Sequence, residues 1–183
     1  MSVPVLVDKR VRGKGHVALM RRAVSETLRH EGVHAPYEVS VVLADDAFIH
    51  ELNREYMGVD GPTDVLSFPQ EDHMPQSCGD AARRLDSSEP VPTRVVTRAL
   101  GDIVVSLPTV ARQAAEHGTG VENELALMVI HATLHLLGYD HHEPVAQDVM
   151  WRVQTEILTG VLRSAGAEHT VFQSASSTAR ESH

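Results

Sequence analysis

The sequence predicts an α+β (mixed α/β) domain, one small four-stranded sheet packed with helices and a histidine-bearing helix laid across it. Three observations predict it. Four β-rich runs are interleaved with helical patterns but not in strict strand-helix alternation. The helical stretches carry apolar residues at spacings of three and four. The apolar run Glu124–Ile130 continues without Gly or Pro into His131 and His135, long enough to be a buried helix.

Val3 to Asp8 is a short β-rich run, an edge or first strand because Pro4 has no N–H for a ladder. From about Lys14 to His30, Val17, Met20, Val24, Thr27 and Leu28 recur at helical spacing, and Gly32 ends the pattern. Tyr37 to Ala44 alternates and then runs apolar, as a strand entering a core does. Asp45 and Asp46 are placed to cap a helix over 47–56, whose Phe48, Ile49, Leu52 and Tyr56 form a core stripe. Gly58 to Pro62 is a turn, and Thr63 to Phe68 a strand ended by Pro69.

Residues 70–98 hold five Asp or Glu, three of the nine prolines and no periodicity, which reads as a long flexible insert. Its Arg83, Arg84 and Arg94 read either as solvated charge or as contacts to an anionic partner. Leu100 to Leu107 is a buried strand, and Pro108 and Thr109 open a helix running to His117. Asp102 reads equally as a turn cap or as a carboxylate behind a metal ligand. The last helix, about 144–162, places Val145, Val149, Val153, Ile157 and Leu158 on one face. The expected organisation is one catalytic domain over 1–163 and a disordered tail, rich in Ser, Thr and Ala, over 164–183.

Composition excludes several classes. In 183 residues, 42% hydrophobic and 22% charged content is ordinary for a soluble globular chain, and 4% aromatics leave the core to Val, Leu, Ile and Ala. A single Cys78 rules out an internal disulfide and a thiolate zinc site, and fits a reducing cytoplasm. No run approaches the ~18 apolar residues of a membrane span, and no secretory leader pattern opens the chain. A net charge of −9 argues against general nucleic-acid affinity. The first thirty residues are basic all the same, with Lys9, Arg10, Arg12, Lys14, Arg21, Arg22 and Arg29, which reads either as a local positive surface or as an ordinary solvated helix face.

The chemistry concentrates between residues 131 and 142, which hold four of the twelve histidines. His131 and His135 stand one helical turn apart on one face. Gly138 supplies a residue free to adopt the left-handed conformation, and His141 follows three residues later, within about 10 Å of chain. Three neutral imidazoles suit a zinc-like ion and leave a fourth position open, as in catalytic sites. A lone helical histidine is more often a hydrogen-bonded core residue, but the spacing of three overrides that. The residue after His131 is Ala132, whereas the zinc-protease pattern H-E-x-x-H has its general-base Glu there.

The run His131 to His141, the segment Gly61-Pro62-Thr63-Asp64-Val65-Leu66-Ser67-Phe68-Pro69 and the segment Gly101-Asp102-Ile103-Val104-Val105-Ser106 together resemble the YbeY family of bacterial endoribonucleases acting in ribosomal RNA maturation. The resemblance covers roughly residues 3–160. It implies a zincin-like metalloprotein core, one Zn2+ held by His131, His135 and His141, and hydrolysis of single-stranded RNA, in 16S rRNA 3′-end processing and ribosome biogenesis or quality control. It implies ribosomal RNA as partner, with ribosomal proteins or a ribosome-associated GTPase as further partners, no DNA, and a cytoplasmic location. In the family the Thr63–Phe68 strand walls the cleft, so Thr63, Asp64 and Ser67 are candidate substrate contacts. The hydroxyls of Thr63 and Ser67 read more readily as serving the turn and strand backbone than as catalytic groups. The family often has Arg directly after the Tyr matching Tyr56; here Met57 stands there, and a cationic phosphate contact has to come from elsewhere.

The expected chemistry is an ion that lowers the pKa of water towards ~7 and offsets phosphoryl charge. The nucleophile, water or the 2′-hydroxyl, stays open. Asp140 reads as an acceptor orienting an imidazole, or as an Asp in a turn; His142 reads as a surface residue, and Glu143 is also near enough for proton transfer. Two rivals stand beside this reading: a peptidase or amidase using the same triad, and a non-catalytic ribosome assembly factor stabilised by zinc.

Overall fold

In a computed structural model, the described residues are 5–7, 11, 14–33, 36–70, 98–141 and 143–164. The expected insert and tail fall almost wholly outside them, as do Pro4, Lys9, Arg10, Arg12, Cys78, Arg83, Arg84, Arg94 and His142.

The strands are β1 (Val5–Val7), β2 (Tyr37–Ala44), β3 (Val65–Pro69) and β4 (Arg98–Ser106), paired in the order β1-β2-β4-β3. The pairs β1/β2 and β2/β4 are parallel, and β3 closes the far edge antiparallel to β4. The helices are α1 (Val17–His30), α2 (Asp46–Leu52), α3 (Leu107–His117), α4 (Val121–Leu136) and α5 (Pro144–Ser164).

Alternation decides which face each strand residue covers. Val39, Val41 and Leu43 of β2, with Ile103 and Val105 of β4, face α1, α4 and α5 in the main core. Ala44, Val104 and Leu66 turn to the other face and pack under Ile49 of α2. With both faces covered, Ile103 to Ser106 of β4 are buried at every position, apolar but for Ser106, as strands covered on both sides are. Met20, Val24, Thr27 and Leu28 of α1 are buried as their spacing requires, with Val17 packed at the rim.

Asp45 caps α2, its side chain accepting the Phe48 N–H at 2.9 Å. Asp46 does not cap. Its carboxylate accepts hydrogen bonds from Ser106, from Thr109 at 2.8 Å and from Arg112 at 2.8 Å, tying α2 to the start of α3. Burial alone would raise the Asp46 pKa, but those three donors and the Arg112 charge outweigh it and hold the carboxyl below its ordinary value.

Two expected core stripes are corrected. Ile49 is buried and Phe48 and Leu52 pack beside it, but Tyr56 is 60% exposed. The reason is a π turn, Asn53–Met57, that follows α2. A turn closed i→i+5 inserts an extra residue, so it buries Asn53 and swings Tyr56 out of the stripe. In α5 the buried side, packed on α1 and α4, is Met150, Val153, Ile157 and Val161, while Val145 and Val149 are exposed because Met150 rather than Val149 takes the inward position there. Asp102 lies mid-strand in β4, opposite Ser40 and Phe68, with its side chain exposed; it caps no turn.

Gly101 fixes how closely α4 approaches the sheet. Its φ is +145°, and a Cβ there would lie 2.2 Å from the Phe68 carbonyl oxygen and 3.0 Å from the Leu136 side chain. The β2/β4 register shifts beside it, between Glu38 and Val39. The C-terminal turn of the histidine helix therefore rests on a strand with no side chain at the contact.

Candidate metal centre

Leu137 ends α4, Gly138 takes φ +90°, and the Tyr139 N–H returns to the Leu134 carbonyl at 3.0 Å, which is the left-handed helix ending that the sequence requires. That turn brings His141 back over the helix. The ring centroids lie 4.6 Å (His131–His135), 5.0 Å (His135–His141) and 5.6 Å (His131–His141) apart, and one ligand atom from each lies within 4.8 Å of the others.

Hydrogen bonds fix which nitrogens face inward. His135 Nδ1 is 2.9 Å from the Tyr139 carbonyl oxygen, and His131 Nδ1 is 3.0 Å from Gln154 Oε1 on α5. Oxygens of these two kinds only accept, so each Nδ1 carries the proton and each Nε2 a lone pair. The two Nε2 atoms sit 3.1 Å apart. Two lone pairs at that distance repel unless a cation lies against both. Tetrahedral zinc with bonds of about 2.0–2.1 Å sets its nitrogens about 3.3 Å apart, so the donor set fits such an ion within a small side-chain adjustment.

Burial lowers the pKa of His131, and the neighbouring His141 adds to the effect; the Gln154 hydrogen bond and the Asp64 carboxylate oppose it. Burial likewise lowers His135, helped by His131 and His141 and opposed by the Tyr139 carbonyl and Asp140. Both rings are thereby favoured as the neutral form that ligates metals.

Beside the rings opens a cavity of about 210 Å3 lined by Met57, Val65, Leu66, Ser67, His131, Ala132 and His135. Of the three candidate contacts on this wall, Ser67 lines it directly. Thr63 donates its hydroxyl to Asp64 at 3.0 Å, and Asp64 also accepts the Val65 N–H at 2.7 Å and the Gln113 side-chain amide at 2.9 Å. Both are thus engaged within the wall, although the Asp64 charge still reaches His131.

The ladder adds a donor that side-chain reading does not show. The Ser106 N–H bonds to Asp64 O and the Gln70 N–H to Leu100 O, so even-numbered residues of β3 carry the bonds to β4. Val65, Ser67 and Pro69 then turn their main chain to the edge that no described strand covers. The Val65 N–H is taken by Asp64 and Pro69 has none, which leaves the Ser67 N–H as the outward donor among these three.

Asp140 is exposed and acts on His135 through its charge, while the acceptors that orient His131 and His135 are Gln154 and the Tyr139 carbonyl. Gln154 was invisible to spacing because it stands 23 residues from His131 on a separate helix. An expected amphipathic helix with a Gln on its buried side was the available signal.

Comparison with known proteins agrees with this geometry. A family model described as Endoribonuclease YbeY matches residues 7–161. The chain belongs to the YbeY family. The endoribonuclease YbeY of Roseiflexus castenholzii is 43% identical over 144 residues, covering 79% of this chain and 82% of that protein. The YbeY of Pelotomaculum thermopropionicum is 40% identical over 161 residues, 85% of this chain and 95% of its own length. A Thermotoga maritima protein whose structure was solved in solution matches with a TM-score of 0.58 at 27% identity, over 92% of this chain and 97% of that one. Membership in YbeY joins a family named for RNA cleavage to a three-histidine cluster able to hold a metal. Among the described residues, no helix is long and apolar enough to cross a membrane.

Proposed function

We propose that this chain is a zinc-dependent endoribonuclease that cuts single-stranded RNA during ribosomal RNA maturation in the cytoplasm. The observation that carries the reading is the pair of Nε2 lone pairs held 3.1 Å apart beside an open cavity, in a chain of the YbeY family. His131, His135 and His141 hold the ion. When bound, it supplies a Lewis acid that offsets the charge growing on a phosphoryl oxygen.

The remaining work falls to the chain. Tyr139 O and Gln154 keep both Nδ1 atoms protonated and both rings aimed inward. The Ser67 N–H, on the edge of β3 that no described strand covers, donates to a phosphate oxygen of the strand lying in the cavity. The Asp64 charge reaches His131 and the Asp140 charge reaches His135, and both attract a cation held between the rings. Buried Ala132 lines the cavity where a peptidase would carry its general base, so nothing at that position activates water for peptide hydrolysis.

The test combines metal analysis with cleavage of a single-stranded RNA by wild type, His131→Ala, His135→Ala and His141→Ala. Wild type is expected to hold one zinc per chain and to cut RNA, with cutting lost on chelation while the far-UV circular dichroism is kept; each variant loses zinc and cutting together. Cleavage that survives both chelation and His135→Ala defeats the reading.

A further inference from the structure

Beyond the metal, we propose that Tyr56 and Met57 form a shelf on which a nucleobase of the RNA strand stacks, next to the phosphate held over the histidines; this rests on the function proposed above. Tyr56 is 60% exposed and Met57 48% exposed, apolar surface that no described element covers. The Tyr56 ring meets Phe68 edge to face, with centroids 5.3 Å apart at 71°, so the contact braces the ring without covering both of its faces.

The shelf is continuous with the site. Met57 is itself a wall of the histidine cavity, as is Ser67, whereas Phe68 turns to the other face of β3, so the shelf joins the site through Met57. The shelf is also built rather than frayed. The π turn that turns Tyr56 outward is anchored by the buried Asn53, which donates from its side chain to the Gly61 carbonyl at 2.8 Å and accepts the Val59 N–H at its own carbonyl at 3.2 Å. Gly58 in the left-handed region, φ +70°, closes it. Such single π turns are frequent at functional sites.

Single-stranded nucleic acid offers an exposed π face at every base, and stacking on an aromatic side chain tolerates any sequence. A chain of net charge −9 gains little from general phosphate attraction, so stacking supplies affinity that charge does not. A duplex keeps its bases stacked on one another and has none to lend, so the shelf selects for unpaired strands.

The full chain, freed of metal with a chelator so that RNA is not cut, is titrated with a short oligouridylate. Tyr56→Ala is expected to weaken binding roughly five- to hundredfold, while Tyr56→Phe stays near wild type. In the zinc-loaded enzyme Tyr56→Ala raises KM and leaves kcat nearly unchanged. A reporter variant, Tyr56→Trp with Trp151→Phe, is quenched by the oligouridylate and not by an abasic strand of equal length. Equal affinity of wild type and Tyr56→Ala, or equal quenching by the abasic strand, overturns the shelf and leaves it a surface for a protein partner. If wild type loaded with zinc does not cut RNA, the function proposed above fails instead.

Discussion

The main-chain carbonyl of Tyr139 accepts the Nδ1–H of His135 at 2.9 Å, so the turn that brings His141 back also sets the tautomer of the histidine before it. Because that acceptor is backbone, no substitution at Tyr139 removes it directly. His131 has no such provision. Its Nδ1 depends on a side chain, Gln154, from α5.

Replacing Gln154 by Leu keeps the volume and removes the acceptor. His131 is then free to carry its proton on Nε2, the atom aimed at the metal. Zinc affinity is expected to fall about 10- to 100-fold, as for other orienting partners of metal ligands, and Gln154→Glu is expected to restore it. Competition with a fluorescent chelator reads the difference. Unchanged affinity in Gln154→Leu would show that packing alone orients the ring.

Acid should destabilise the metal-free protein through the same rings. Burial, with neighbouring imidazoles adding to it, lowers the pKa of His131 and His135 from 6.5 in the folded chain. Below 6.5 the unfolded chain binds protons that the folded chain resists, so stability is full above 6.5 and is lost as pH falls through the lowered folded values. Melting temperature of the chelator-treated protein is expected to drop from pH 7 to pH 5, and less steeply in His131→Asn/His135→Asn. Equal slopes for the two proteins would place the acid sensitivity elsewhere.

The histidine centre was legible because everything it needs lies within eleven residues: a helical repeat, a glycine to end it and a third ligand after the turn. Its supports were not legible, and each for a different physical reason. Gln154 belongs to another helix, and only tertiary packing joins the two. The Ser67 N–H is backbone, and its outward direction follows from the register of β3 on β4 rather than from any residue type. Tyr56 fitted an α-helical stripe until a π turn shifted the phase, and an extra residue in a turn leaves no mark on apolar spacing. Val145 and Val149 continued the period of α5, but Met150 beside them fits the same period shifted by one residue, and only packing on α1 and α4 decides between the two. Asp45 and Asp46 are identical as letters; the backbone at Asp45 is extended and can cap, whereas Asp46 is already helical and reaches Ser106, Thr109 and Arg112 instead.

Gly101 tests how far the metal helix depends on the strand beneath it. A methyl there meets the Phe68 carbonyl oxygen at 2.2 Å, and the positive φ of 145° disfavours any side chain. Conformational strain and overpacking together give an expected loss of about 2–4 kcal/mol for Gly101→Ala, read by urea denaturation. The nearer obstacle is backbone and Leu136 is the farther one, so adding Leu136→Ala is not expected to restore stability. Relief requires β3 to move from β4, and β3 carries Ser67 and the wall of the cavity. Activity is therefore expected to fall in Gly101→Ala under conditions where the protein remains folded and holds its zinc. Full activity together with full stability would show that the helix and the edge strand are not coupled through this contact.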